Sequence, residues 1–137
     1  MSELFNFEVH TPYRLFFSGK AQVITLPLVD GEIGVYAHHS PFTAPVITGI
    51  LRIKDGKGEW RPAFITDGIL EVKDHKNVLM VDAAEWPEEI DCERAKQAKE
   101  QAEQSLAAGI LKFEAENIAV SLKRANMRIK AAEEGKG

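Results

Sequence analysis

Few side chains in this sequence could do covalent chemistry, and their neighbours argue against it. The one cysteine, Cys92, lies between Asp91 and Glu93. Flanking carboxylates disfavour a thiolate, so no activated nucleophile is expected there. Ser40 lacks a Gly-x-Ser-x-Gly setting. His38 and His39 adjoin, but neighbours on an extended chain point to opposite faces and do not chelate one ion together. His10 and His75 are remote, and no acid or cysteine spacing completes a zinc pattern. What remains is noncovalent. Arg124 and Arg128 are four residues apart, hence on one face of a helix, and such a pair can hold phosphate oxygens through charge-assisted hydrogen bonds. With Lys112, Lys123 and Lys130 they form a basic helix face. On charge alone that face reads as solvated surface. No Walker-type glycine-rich loop accompanies it.

The elements that must carry these residues differ between the two parts of the chain. Its 137 residues bear 17 basic and 21 acidic side chains, a net charge of −4. That balance argues against nucleic-acid binding, which favours basic domains. No apolar run approaches the roughly 18 residues of a membrane span. The start Met1-Ser2-Glu3-Leu4 lacks the basic-then-apolar layout of a secretory signal. A lone cysteine excludes an internal disulfide and fits a reducing compartment.

Composition changes near Trp86-Pro87. Residues 1–86 hold ten of the eleven aromatics, five of six prolines and seven of ten glycines. Residues 87–137 hold ten of sixteen alanines. In the first part short apolar runs alternate with turn signals, which predicts an antiparallel sandwich or barrel. Phe5, Phe7 and Val9 begin the series. A run with Val23 and Leu26 is expected to end at Pro27 and Asp30-Gly31. Asp55-Gly56 and Asp67-Gly68 read as hairpin turns, and a further run over Ile69, Leu70 and Val72 stops at Asp74.

The second part reads as a helical hairpin. Helix one is expected from Asp91, as N-cap, to Ala107, with an alternative start at Pro87. Gly109 is the natural turn. Helix two is expected over Ile110 to Glu133, with Glu134 to Gly137 as a frayed end. Leu111, Ala115, Ile118, Leu122, Ala125, Ile129 and Ala132 step by four and three, a packing seam. Ala95, Ala98, Ala102 and Leu106 are expected to face it. Alanines bury little area, so the seam should hold only modestly and be able to open.

Taken in order, these pieces resemble a known family. Phe7-Glu8-Val9 with Thr11-Pro12, Asp30-Gly31-Glu32-Ile33-Gly34-Val35 with His39 and Pro41, Asp67-Gly68-Ile69-Leu70-Glu71-Val72, Ala84-Glu85, Ile90-Asp91-x-x-Arg94-Ala95 and Lys123-Arg124-Ala125-x-x-Arg128 are co-linear with the epsilon subunit of bacterial F-type ATP synthase. The resemblance implies an N-terminal antiparallel β-sandwich over residues 1–86 and a C-terminal two-helix antiparallel hairpin over 87–137. It implies a non-catalytic rotor part of the central stalk. The sandwich would bind the gamma subunit and rest on the c-subunit ring. The hairpin would fold down or extend toward the alpha and beta subunits and restrain ATP hydrolysis.

The same resemblance implies a peripheral place on the cytoplasmic face of the bacterial inner membrane, held through partner subunits. No cofactor is required, but ATP is a candidate regulatory ligand. Its residues by resemblance are Glu85, Asp91, Arg94, Arg124 and Arg128. Gln101 stands where ATP-binding relatives carry a basic residue, which lowers the expected affinity. On the plainer reading Asp91 is a helix cap and the arginines make salt bridges. Glu32 and His39 are implied at the gamma or c-ring interface, and Lys123, Arg124 and Arg128 at a subunit contact with an acidic loop of beta. The rival reading is a stand-alone ATP-sensing protein with no stalk role.

Overall fold

A computed structural model describes residues 3–74, 76–109 and 112–136. His75, Ile110, Leu111 and Gly137 lie outside the described residues, and with Leu111 one position of the expected helix-two seam. The chain divides into two units, one ending at Glu85 and the other beginning at Trp86.

Among the described residues the first unit holds nine strands. They are β1 (Phe5–His10), β2 (Leu15–Leu28), β3 (Gly31–Tyr36), β4 (Phe42–Val46), β5 (Gly49–Asp55), β6 (Trp60–Ile65), β7 (Gly68–Lys73), β8 (Lys76–Val81) and β9 (Ala84–Glu85). The long β2 serves both layers of a sandwich. Its first half pairs with β1 and its second half with β3 and β5. Its register against β5 slips between Ala21 and Val23, a bulge of the kind that bends a strand. The order is β4-β7-β8-β1-β2 on one side and β3-β2-β5-β6-β9 on the other. Alternation places Phe7, Val9, Ile24, Leu26, Ile53, Phe64, Leu70 and Leu79 in a fully buried core.

Three expectations need correcting. Pro27 does not end its strand. It pairs with Glu32 inside β2, and its carbonyl accepts from the Ile47 N–H at 3.0 Å. Asp67-Gly68 is not a hairpin turn: β6 pairs with β5 and β9, whereas β7 pairs with β4 and β8. The dipeptide marks a crossing between layers. There Asp67 Oδ1 accepts from the Thr48 N–H at 2.7 Å and from the Thr48 hydroxyl at 2.8 Å. Finally, among the described residues every strand pair is antiparallel except β1 with β8, which is parallel. By contrast Asp55-Gly56 does turn a hairpin. Asp55 Oδ1 accepts from Lys57 N at 2.8 Å and from Glu59 N at 3.0 Å, an Asx-type closure.

The second unit opens with a 3-10 turn, Pro87–Glu89, followed by α1 (Cys92–Ala107) and α2 (Lys112–Lys136). Both sequence-level starts are used. Pro87 opens the short turn, and Asp91 caps α1 by accepting from the Arg94 N–H at 3.1 Å. Gly109, with φ 74°, closes α1, and α2 packs on α1.

The α1 seam departs from the expected one at a single position. Ala95, Ala102 and Leu106 are covered as expected, but Ala98 is exposed, and Cys92, Lys99 and Ser105 are covered as well. Steps of three and four select Lys99, whose methylene stem can lie over the partner helix while its ammonium stays wet. On α2, Ala125, Ala131 and Ala132 are buried. Residues 134–136 continue the helix instead of fraying.

Candidate functional site

Directly paired residues share a face of a sheet, so register alone builds the outer surface of the β4-β7-β8-β1-β2 layer. Pro45, Ile69, Met80, His10 and Leu15 stand in one row across five strands. Leu15, Ile69 and Met80 remain 52%, 47% and 43% exposed. Tyr13, at 90%, tops the turn between β1 and β2. Thr11 fixes that turn, its hydroxyl oxygen accepting from Tyr13 N and Arg14 N at 3.2 and 3.1 Å. Beside the row a cleft of about 440 Å³ is lined by Pro12, Ile69, Met80 and Val81 and rimmed by Asp67 and Asp82.

The next row holds Thr43, Glu71, Val78, Glu8 and Ser18, and the next Lys73, Lys76, Asn6 and Lys20. One face therefore runs from apolar through acidic to basic. Its charges are tied along it. His10 meets Glu8 at 2.9 Å, Lys76 meets Glu8 at 3.4 Å, and Lys73 meets Glu71 at 3.6 Å. The hydrogen bond from His10, with that from Lys76 and the charges of both, holds the Glu8 carboxyl below its ordinary value despite the opposing effect of burial. Sequence reading missed this surface. Ile69 and Met80 were legible as strand residues, but the rows exist only once pairing partners are known.

Glu32 and His39 both face solvent. Glu32, on β3, accepts from Arg52 Nη1 at 2.8 Å. His39 Nδ1 donates to the Ser40 carbonyl at 2.9 Å, and its ring lies 4.9 Å from that of Phe42. Its neighbour His38 has a left-handed φ of 65° and pairs with Glu3. Among the described residues no group of three or more histidine, cysteine, aspartate or glutamate side chains could hold a metal ion.

The nucleotide candidates fall into separate settings. Glu85 ends β9 in the first unit. In the second, the Asp91 carboxylate is engaged as the helix cap, and Arg94 beside it is exposed. Arg124 and Arg128 lie one turn apart on α2, both half-buried, whereas Lys123 and Lys130 point to solvent. The five-cation face is thus divided, and the side chain of Lys112 lies outside the described residues. Arg124 Nε is buried without a hydrogen-bond partner. Such a donor is costly to leave unpaired and suits an anion.

Residues 4–87 match the beta-sandwich domain of ATP synthase, Delta/Epsilon chain, and residues 88–133 match its long alpha-helix domain. The chain belongs to the ATP synthase delta/epsilon chain family. Relatives agree over nearly full length. The ATP synthase epsilon chain of Caldicellulosiruptor bescii is 47% identical over 96% of both chains, and that of Caldanaerobacter subterraneus subsp. tengcongensis is 43% identical over 96% of both. The fold also matches a chain of the Euglena gracilis mitochondrial ATP synthase OSCP/F1/c-ring structure, with TM-score 0.79 and 20% identity over 96% of this chain and 80% of that one. It matches a chain of the Tetrahymena thermophila mitochondrial ATP synthase central stalk and c-ring structure, with TM-score 0.58 and 18% identity over 96% and 98%. As a family member, the chain is a non-catalytic, peripheral epsilon subunit of ATP synthase. Among the described residues no helix is long and apolar enough to cross a membrane.

Proposed function

We propose that this epsilon chain is a rotor part of the central stalk that couples the gamma subunit to the c-subunit ring and restrains ATP hydrolysis through its hairpin. The observation that carries the reading is the graded outer face of the first unit. A row of half-exposed apolar side chains on a hydrogen-bonded five-strand layer is a rigid docking surface, and its acidic and basic rows fix orientation. Gamma is its occupant in this reading. Glu32 and His39, on exposed backbone elsewhere in the unit, serve the gamma or c-ring contact. The assembly stands on the cytoplasmic face of the bacterial inner membrane.

The hairpin suits control because its seam is thin. Ala95, Ala102, Ala125 and Ala132 are buried in it, and each methyl contributes only on the order of 1 kcal/mol. Two states within a few kcal/mol can then be shifted by partners. Lys123, Arg124 and Arg128 would meet an acidic loop of the beta subunit in the extended state. ATP is the regulatory ligand of the closed state, its phosphates on Arg124 and Arg128 and its remaining contacts drawn from Glu85, Asp91 and Arg94. The buried, unpaired Arg124 Nε supports this assignment. Deleting residues 88–137 tests the division of labour. Assembly and ATP-driven ion pumping should survive while control of hydrolysis changes; loss of assembly would make the hairpin a strut and overturn the proposal.

A further inference from the structure

Gly135 lies in the last turn of α2. It is not among the glycines with left-handed backbone, which are Gly31, Gly58 and Gly109. Inside a helix glycine is disfavoured relative to alanine, so neither a turn nor helix formation accounts for it. Space does. A Cβ on Gly135 would stand 2.3 Å from Pro87 Cβ and 2.6 Å from Pro87 Cγ, where no two carbon atoms fit.

The surface it meets is stiff. The Pro87 ring fixes its backbone. The Trp86 N–H donates to the Glu89 carboxylate at 2.9 Å, the Glu89 N–H to the Trp86 carbonyl at 2.9 Å, and the Ile90 N–H to the Pro87 carbonyl at 3.2 Å. Upstream in α2, Ala131 and Ala132 are both buried. Neighbours on a helix point about 100° apart, so α2 buries a broad stripe immediately before its last turn.

We propose that Gly135 against Pro87 is a steric latch. Residue 135 lets the tail of α2 seat on the 3-10 turn that precedes α1 because it has no side chain, and unseating the tail is the step that frees the hairpin to open. The proposal rests on the reading of the hairpin as the control element. It places the trigger at the end of α2 farthest from the Gly109 turn, where a small displacement separates the helices first.

The test is amide hydrogen exchange over residues 131–136 of the full chain, with the first-unit amides as an internal check of folding. Helix propensity alone predicts that Gly135→Ala raises protection, up to about fivefold. The latch predicts the opposite sign, a loss of tenfold or more. In a Pro87→Gly background the obstructing carbons are gone, and Gly135→Ala should then raise protection. If Gly135→Ala melts the whole hairpin, Pro87→Gly should restore it, and failure to restore it overturns the latch. Equal or higher protection in the native background overturns it as well. ATP hydrolysis by the assembled synthase with Gly135→Ala is read separately and should be more strongly restrained. Unchanged hydrolysis beside lost protection would sink the control reading and leave the latch standing.

Discussion

Replacing Leu15, Ile69 and Met80 together by threonine should weaken binding to purified gamma subunit by roughly 100-fold. Threonine keeps the strand preference of these sites while removing most of their apolar surface. The three side chains are 52%, 47% and 43% exposed, so about half of each remains to be covered by a partner. Full burial of such a side chain is worth about 1.5–3 kcal/mol, which leaves about 1 kcal/mol apiece for docking. Three of them give about 3 kcal/mol, or two orders of magnitude in Kd. They are neighbours in one row, so the single variants should not sum perfectly. Titration calorimetry against gamma measures the loss. Threonine at Trp60, 50% exposed but on β6 of the other layer, should leave Kd unchanged. A triple variant within threefold of the native Kd, or an equal loss from the Trp60 variant, would refute the assignment of this face.

Asp67→Ala should lower the stability of the first unit by about 2–4 kcal/mol, since it strands two donors of Thr48, which is only 5% exposed. Differential scanning calorimetry should show a fall of about 10 °C or more. Glu8 gives a pH dependence of fixed sign. Its folded-state pKa is lowered, so its contribution is present above the ordinary carboxylate range and is lost as pH falls through the lowered value. Thermal midpoints between about pH 6 and 3 should decline less in Glu8→Gln than in the native chain. Titration with ATP should give a saturable isotherm that Arg124→Ala or Arg128→Ala weakens at least about tenfold. No heat at millimolar ATP would end the ligand reading. Alanine at Lys123, Arg124 and Arg128 together should relieve restraint of hydrolysis in the assembled enzyme, and this is checked by its steady-state rate.

The strand content and two hairpin turns were legible because their signals are local. Asp30-Gly31 joins β2 to β3 and Asp55-Gly56 joins β5 to β6. Asp67-Gly68 carries the same chemistry yet turns the chain into another layer, because which strand pairs with which depends on residues far away. The parallel β1–β8 pair was hidden for that reason. Position 98 was misread because alanine suits a buried and an exposed helix face equally, whereas Lys99 looks polar although its stem can be covered. The composition of Glu134-Gly135-Lys136 suggests fraying, yet the close seat on Pro87 makes glycine the residue that fits. Of the candidate site, the Asp91 cap was readable from type and position. The separation of Arg124 and Arg128 from Lys123 and Lys130 was not, since it needs the orientation of α2.

The 14 residues of β2 form one continuous span of about 45 Å at strand spacing. Because both layers of the sandwich are stitched to that span, neither can slide over the other without breaking hydrogen bonds along it. In the proposed rotor role, torque entering through one layer would reach the opposite one along covalent backbone, so the unit would twist as a single body and store little of the turning effort as internal shear.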